Sequence, residues 1–356
     1  MNNLSDQPLS RPQFFDLSPA FPLLKAGMPF RAIMKQMKGG TTYVAEGTYG
    51  TVLAYYSWLK KQINNQFPIV DFLSARKNKD QLSAYSNHLL IRIVDGNADL
   101  EGAPKNEWLK ILYPDKPTFL LRFTDFLGMN GAWQWYENGI RYPGLDVSIH
   151  PFYGVYFPTR YEHLLLFDDW LSSNNTFEDV VEIGIGCGVL TYYLLKHKAE
   201  KVSATDISVN ALQSVYADLK RHNLSEKVSL FPGPFFQNLN METVDLVVFN
   251  PPWIPEESEN NLDRATHYNE DFFTIFFEEA TKAMKPGTKL VLIFSNFAEV
   301  AGLTQLHPIR QELEQSRFKL ISFKQQPLLQ KPSQRKNWLA AIRQKEMNEL
   351  WVLEKN

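Results

Sequence analysis

The sequence predicts an α/β protein: a mostly parallel seven-stranded sheet with helices on both faces, preceded by a mainly helical N-terminal domain and a β-hairpin connector. Three observations predict it. From about residue 159 onward, seven short apolar runs alternate with helix-length stretches, which is how parallel strands joined by crossover helices read. The first run opens into Gly184, Gly186 and Gly188, glycines at every second position. The chain has 356 residues, beyond the roughly 250–300 at which single cores tend to split. The expected organisation is an N-terminal domain over 1–116, a connector over 117–158 and the α/β domain over 159–356.

Composition narrows the function classes. With 44% apolar and 13% aromatic residues the chain has enough material for a packed core. No window approaches the roughly 20 apolar residues of a membrane span, and the start, MNNLSDQPLS, lacks the basic and apolar regions of a signal peptide. A soluble, cytoplasmic protein is expected. Cys187 is the single cysteine, so an internal disulfide and a cysteine-rich metal site are excluded, and no metal is expected. A net charge of −2 supplies no field for tracking nucleic acid.

In chain order, residues 7–30 read as proline-rich coil. TVLAYYSWLKKQIN then places Val52, Tyr56, Leu59 and Ile63 at helical spacing with lysines opposite. LLIRIVDG, residues 89–96, fits a strand or a buried helix. From 117 to 157 the pattern is extended, and Asn138-Gly139 between aromatic-rich runs is the type I′ hairpin signal, both central residues needing φ > 0. The strand candidates of the α/β domain are DVVEIG, KVSATD, KVSLF, VDLVVFN, KLVLIFS, FKLISF and ELWVL. The last two are expected to pair antiparallel around a basic helical insertion. Its Lys331, Arg335, Lys336, Arg343 and Lys345 read as a solvated face, with an RNA or acidic-partner contact as the alternative.

Ligands in such sheets bind at the carboxyl ends of the strands, near the switch in strand order. The first strand ends in Glu182-Ile183-Gly184-Ile185-Gly186-Cys187-Gly188, where glycines let the backbone approach a ligand. A dinucleotide fingerprint needs a glycine at Val189, which weakens a hydride-transfer reading, and no Gly-Lys-Ser/Thr follows, so a phosphate-loop reading fails. Cys187 reads as a small residue of this loop. The second strand ends in Asp206, 22 positions after Gly184. There an acid can accept both hydroxyls of a ribose, or it caps the next helix, a task Ser208 can also perform. Ile207 is placed to cover an adenine face, and Phe235 follows the third strand near the same nucleoside. The fourth strand ends in Asn250-Pro251-Pro252-Trp253. Consecutive prolines fix two φ angles near about −65° and remove two donors, so Asn250 and its neighbouring carbonyls are held rigid.

Glu-x-Gly-x-Gly-x-Gly, an acid ending strand two and Asn-Pro-Pro-Trp ending strand four together resemble the class I S-adenosylmethionine-dependent methyltransferases with an Asn-Pro-Pro-aromatic motif. Those have a Rossmann-like seven-stranded sheet. The layout is most similar to the protein-glutamine N5-methyltransferases that modify release factors, which join a helical N-terminal domain to the catalytic domain through a β-hairpin. Tyr156-Phe157-Pro158-Thr159-Arg160-Tyr161-Glu162 stands where they carry a Pro-Arg-x-Glu-Thr-Glu-like stretch.

The resemblance implies S-adenosylmethionine bound across Glu182, Gly184, Gly186, Gly188, Asp206, Ile207, Phe235 and Asn250. It makes Asn250, Pro251, Pro252 and Trp253 the catalytic group, with Arg160, His267 and Tyr268 as candidate substrate contacts. Two departures stand out. Pro234 occupies the place of an adenine-binding acid, and Asn261-Leu262-Asp263-Arg264-Ala265-Thr266-His267-Tyr268 stands where the family has a glycine-rich segment. The expected acceptor is a planar –NH2 group, that of a protein glutamine. The alternatives are an N6-adenine enzyme acting on RNA or DNA, and a small-molecule methyltransferase with a lid domain. Residues 1–116 and the connector are expected to form a cap that selects the acceptor.

Overall fold

The computed structural model describes residues 4, 7–18, 20–174, 176–256, 265–328 and 338–356. The chain forms two compact units, one of residues 10–134 with 337–339, the other of 1–9, 135–336 and 340–356. Their division falls inside one helix, between Gln134 and Trp135.

The first unit holds strands β1 (Phe14–Phe15), β2 (Leu23–Leu24), β3 (Tyr43–Ala45), β4 (Leu89–Val94), β5 (Asn97–Ala98) and β6 (Thr118–Arg122). Its helices are α1 (Phe30–Lys38), α2 (Tyr49–Gln66), α3 (Phe72–Ser86), α4 (Trp108–Leu112) and most of α5 (Phe123–Asn138). Helices of 9, 18 and 15 residues outweigh strands of 2 to 6, so the unit is mainly helical. It nevertheless contains a six-stranded sheet in the order β1-β6-β4-β3-β2, with β5 on β4, which the sequence reading did not anticipate. LLIRIV is the strand β4. The buried face of α2 is Val52, Tyr55, Leu59 and Ile63: the expected stripe with Tyr55 in place of Tyr56, one residue round the helix.

The expected hairpin at Asn138-Gly139 is corrected. Residues Phe123–Asn138 are helical, and Gly139, at φ 67°, ends that helix with its N–H on the Trp135 carbonyl at 3.0 Å. A glycine just past a helix end needs the same left-handed conformation as a type I′ turn, so the dipeptide serves either structure. A short antiparallel pair does follow, β7 (Ile140–Arg141) with β8 (Ser148–Ile149).

The second unit is built on seven strands: β9 (Asp179–Ile183), β10 (Lys201–Asp206), β11 (Val228–Pro232), β12 (Leu246–Phe249), β15 (Lys289–Ser295), β16 (Phe318–Pro327) and β17 (Met347–Lys355). Between β12 and β15 lies a small pair, β13 (Ile254–Pro255) and β14 (His267–Tyr268). The main sheet runs β11-β10-β9-β12-β15-β17-β16, with β17 antiparallel to both neighbours and the first five strands parallel. All seven expected strands are present. Alternate residues of one strand enter different cores, as the pleat requires. Val180, Val202, Val248 and Ile293 pack with helices α6 (Glu162–Ser172), α7 (Val189–Lys196) and α8 (Val209–Arg221). Val181, Val247, Leu292 and Phe294 pack with α9 (Phe272–Ala283). Strand order reverses between β9 and β12, so their carboxyl ends open onto one crevice. Among the described residues, no helix is long and apolar enough to cross a membrane.

Candidate active site

Two cavities open at that crevice. The larger, about 400 Å³, is lined by Glu182, Gly184, Gly186, Asp206, Ile207 and Phe235 among others, and by Asn250 and Pro252. Its size suits a small ligand. Gly184 and Gly186 hold φ of 66° and 51°, a conformation L side chains rarely adopt. A Cβ on Gly186 would stand 3.4 Å from the Tyr156 carbonyl oxygen. The strand end is therefore bare backbone, and a ligand can lie against it. Gly188 does not line the cavity. It precedes α7 at φ 81°, and a Cβ there would meet Val215 at 3.1 Å, so this glycine serves helix packing.

Asp206 is fixed by backbone donors: the N–H of Gly186 to one oxygen at 3.0 Å and that of Ser208 to the other at 2.7 Å, with Ile207 adding a further bond. Ser208, rather than Asp206, caps α8, accepting from the Ala211 N–H at 3.3 Å. A carboxylate offers about four acceptor sites, so Asp206 keeps capacity for ribose hydroxyls. Burial raises its pKa. Glu182 is 1% exposed, accepts a hydrogen bond from the Thr191 hydroxyl, and is pushed up to about 8 by burial. Ile207 is 58% exposed although it lines the cavity, an apolar surface left for a flat ring. The Phe235 ring packs against Phe272 at 5.3 Å and Phe276 at 5.4 Å. This bare backbone, anchored acid and apolar wall fit an adenosine.

The second cavity, about 220 Å³, is lined by Asn250, Pro251, Trp253, Arg160 and His163, among others. Asn250 borders both cavities, and its Oδ1 is buried without a hydrogen-bond partner in the protein. The following turn is stapled: Trp253 and Ile254 donate to the Thr266 carbonyl at 3.2 and 3.0 Å, and Glu256 to that of Tyr268 at 2.8 Å. The Trp253 indole N–H donates to the Ile293 carbonyl at 3.3 Å, and the His163 ring meets the Trp253 ring edge-on at 5.3 Å.

His267 and Tyr268 do not reach either lining. They form β14, paired parallel with β13. Tyr268 is buried among phenylalanines with its pKa raised to about 12 by burial, and His267 lies 3.5 Å from Glu256. Their part is to hold the Asn-Pro-Pro-Trp turn. Asn261 to Arg264, Lys331, Arg335 and Lys336 lie outside the described residues.

Three lining residues escaped the sequence reading. His163 is 3% exposed and held down to about 4 by burial. It stands in α6 directly after Glu162, and no spacing in the sequence marks it. Arg343, read as part of a solvated face, instead lines the cavity and pairs with Glu346 at 2.9 Å. Asn348, on β17, is 2% exposed.

A sheet in this strand order, with a glycine-walled nucleoside cavity at its switch point, is that of a Rossmann-like methyltransferase. Residues 164–322 match the methyltransferase small domain. The chain thus carries a methyltransferase domain, of the kind that takes its methyl group from S-adenosylmethionine. It is similar to a bifunctional methyltransferase of Rickettsia felis, 26% identical over 38% of this chain and 28% of that protein. A Methanocaldococcus jannaschii protein, provisionally named a protein N5-glutamine methyltransferase, is 24% identical over 52% of this chain and 94% of its own length. The release factor glutamine methyltransferase of Streptococcus pneumoniae is 32% identical over 28% of this chain and 35% of its own. The match spans about a third or less of the Rickettsia and Streptococcus proteins.

Proposed function

We propose that the chain is an S-adenosylmethionine-dependent N-methyltransferase whose acceptor is the side-chain amide of a protein glutamine. The observation that carries this reading is the unpartnered, buried Asn250 oxygen at the junction of the two cavities. S-adenosylmethionine supplies a methyl group on a sulfonium, which leaves by in-line displacement. An amide nitrogen is a poor nucleophile because its lone pair is delocalised, so it needs placement and help with developing positive charge.

Asn250 Oδ1 and the Pro251 carbonyl each accept one N–H of the acceptor –NH2, which aims the nitrogen toward the larger cavity and favours charge on it. The Trp253 face stacks on the planar group, a contact of about 1–3 kcal/mol by analogy with base stacking. Two prolines and the β13–β14 staple hold the acceptors, so little reorganisation is needed. Asp206, Glu182, Gly184, Gly186, Ile207 and Phe235 hold the cofactor. Residues 1–116 and the connector are expected to choose the acceptor. The naming of two relatives for glutamine methylation supports the amide over the adenine reading.

The test uses isotopically labelled cofactor and cell extract. Label recovered as N5-methylglutamine in protein is the expected result; label in RNA would overturn the proposal. Asn250→Ala should lower turnover by at least a hundredfold while cofactor affinity stays within a few fold, because its oxygen acts on the acceptor.

A further inference from the structure

The acceptor cavity holds more unused hydrogen-bonding capacity than an –NH2 group requires. Besides the Asn250 oxygen, three atoms of its lining residues are buried without a protein partner: His163 Nε2, Arg343 Nε and Asn348 Nδ2. His163 Nε2 donates or accepts according to tautomer. Arg343 Nε and Asn348 Nδ2 only donate.

Both donors are anchored. Asn348 faces Ser295 in the β15–β17 register. Glu346 receives the Ser295 hydroxyl at 3.1 Å and Arg343 Nη1 at 2.9 Å, so the guanidinium is held by one nitrogen while its Nε stays uncommitted. A buried donor without a partner costs free energy, which a ligand acceptor would offset.

We propose that Arg343 Nε and Asn348 Nδ2 bind the carbonyl oxygen of a primary carboxamide whose –NH2 is received by Asn250, so that the cavity recognises both ends of an amide. This rests on the function proposed above and adds how the acceptor is chosen. A carboxamide oxygen has two lone pairs for two donors. Adenine offers one ring-nitrogen lone pair on each side of its amine, N1 on one and N7 on the other, so two donors converging on one side of the amine would leave one of them unpaired. Donor count therefore favours the amide.

The experiment uses the full chain and two probes: a short neutral peptide with one glutamine, and the same peptide with that residue replaced by glutamate γ-methyl ester, which keeps the carbonyl and lacks the N–H groups. The wild-type protein should methylate the first and be competitively inhibited by the second. Asn348→Leu, which replaces an unpaired amide by a side chain of similar shape, should raise the peptide KM at least tenfold and weaken ester inhibition equally. Arg343→Lys, which keeps the charge and removes Nε, should act in the same direction. Cofactor affinity within twofold of wild type in either variant shows an intact fold. Methylation with unaltered KM in both variants, or loss confined to kcat, overturns the inference alone. A glutamine peptide that is neither methylated nor bound overturns the inference, whereas the proposed function falls with it only if labelled cofactor puts no N5-methylglutamine into protein.

Discussion

At Glu182 the cavity wall and the titration of the protein meet. Its carboxyl is pushed up to about 8 from its ordinary 4.5 because it is buried. The unfolded chain therefore ionises first, and the native state loses stability as pH climbs from about 4.5 through about 8. Thermal melts of the ligand-free protein should show a steeper fall between pH 5 and 8.5 for wild type than for Glu182→Gln; parallel curves would assign the effect elsewhere. Glu182 was legible because it precedes a glycine run, as Asn250 was because it precedes two prolines. Backbone requirements leave such marks in sequence. His163, Arg343 and Asn348 leave none. What brings Arg343 and Asn348 beside Asn250 is the placement of β17 beside β15, and nothing local to residues 343–348 announces that adjacency; His163 reaches the same cavity from α6.

The central strands of the second unit were readable one by one, since β9, β12 and β15 each bury a mostly apolar run of four or more residues, while β11 and β16 bury one residue apiece and were legible from their apolar or β-branched content alone. The same reading failed at α5, where an aromatic-rich segment ending in Asn-Gly passed for a hairpin. Phe123, Phe126 and Met129 are its buried residues, spaced by three, a helical interval that the strand reading overlooked. A glycine can thus mark a helix end, a turn or a ligand approach, and only its neighbours in space decide. Gly188 is a case in which helix packing decides. At φ 81°, with Val215 3.1 Å from an added Cβ, Gly188→Ala should destabilise the protein by about 1–2 kcal/mol, the usual left-handed cost for an L residue. A urea midpoint unchanged from wild type would refute this.

For the whole molecule, 37 basic and 39 acidic residues leave no net positive field to draw a polyanion. The logarithm of kcat/KM for the acceptor should accordingly vary little with the logarithm of salt concentration. A steep negative slope, about 0.7–0.9 per phosphate contacted, would move the adenine reading to first place. The sheet of the first unit stayed hidden because β1, β2 and β5 have two residues each and β3 three, too few to display alternation. The buried Asn250 oxygen has a further consequence, for how far this protein can be stabilised. An acceptor buried without a protein partner penalises the resting fold by about 1–3 kcal/mol, and its removal should relieve that penalty. Asn250→Leu should therefore melt higher than wild type by several degrees, at about 2–4 °C per kcal/mol for a unit of this size, while transferring no methyl groups. Selection for thermal robustness alone would erase this asparagine, and its presence is a trade of folding stability against activity; a melting point at or below wild type would show that the oxygen is satisfied in the resting protein.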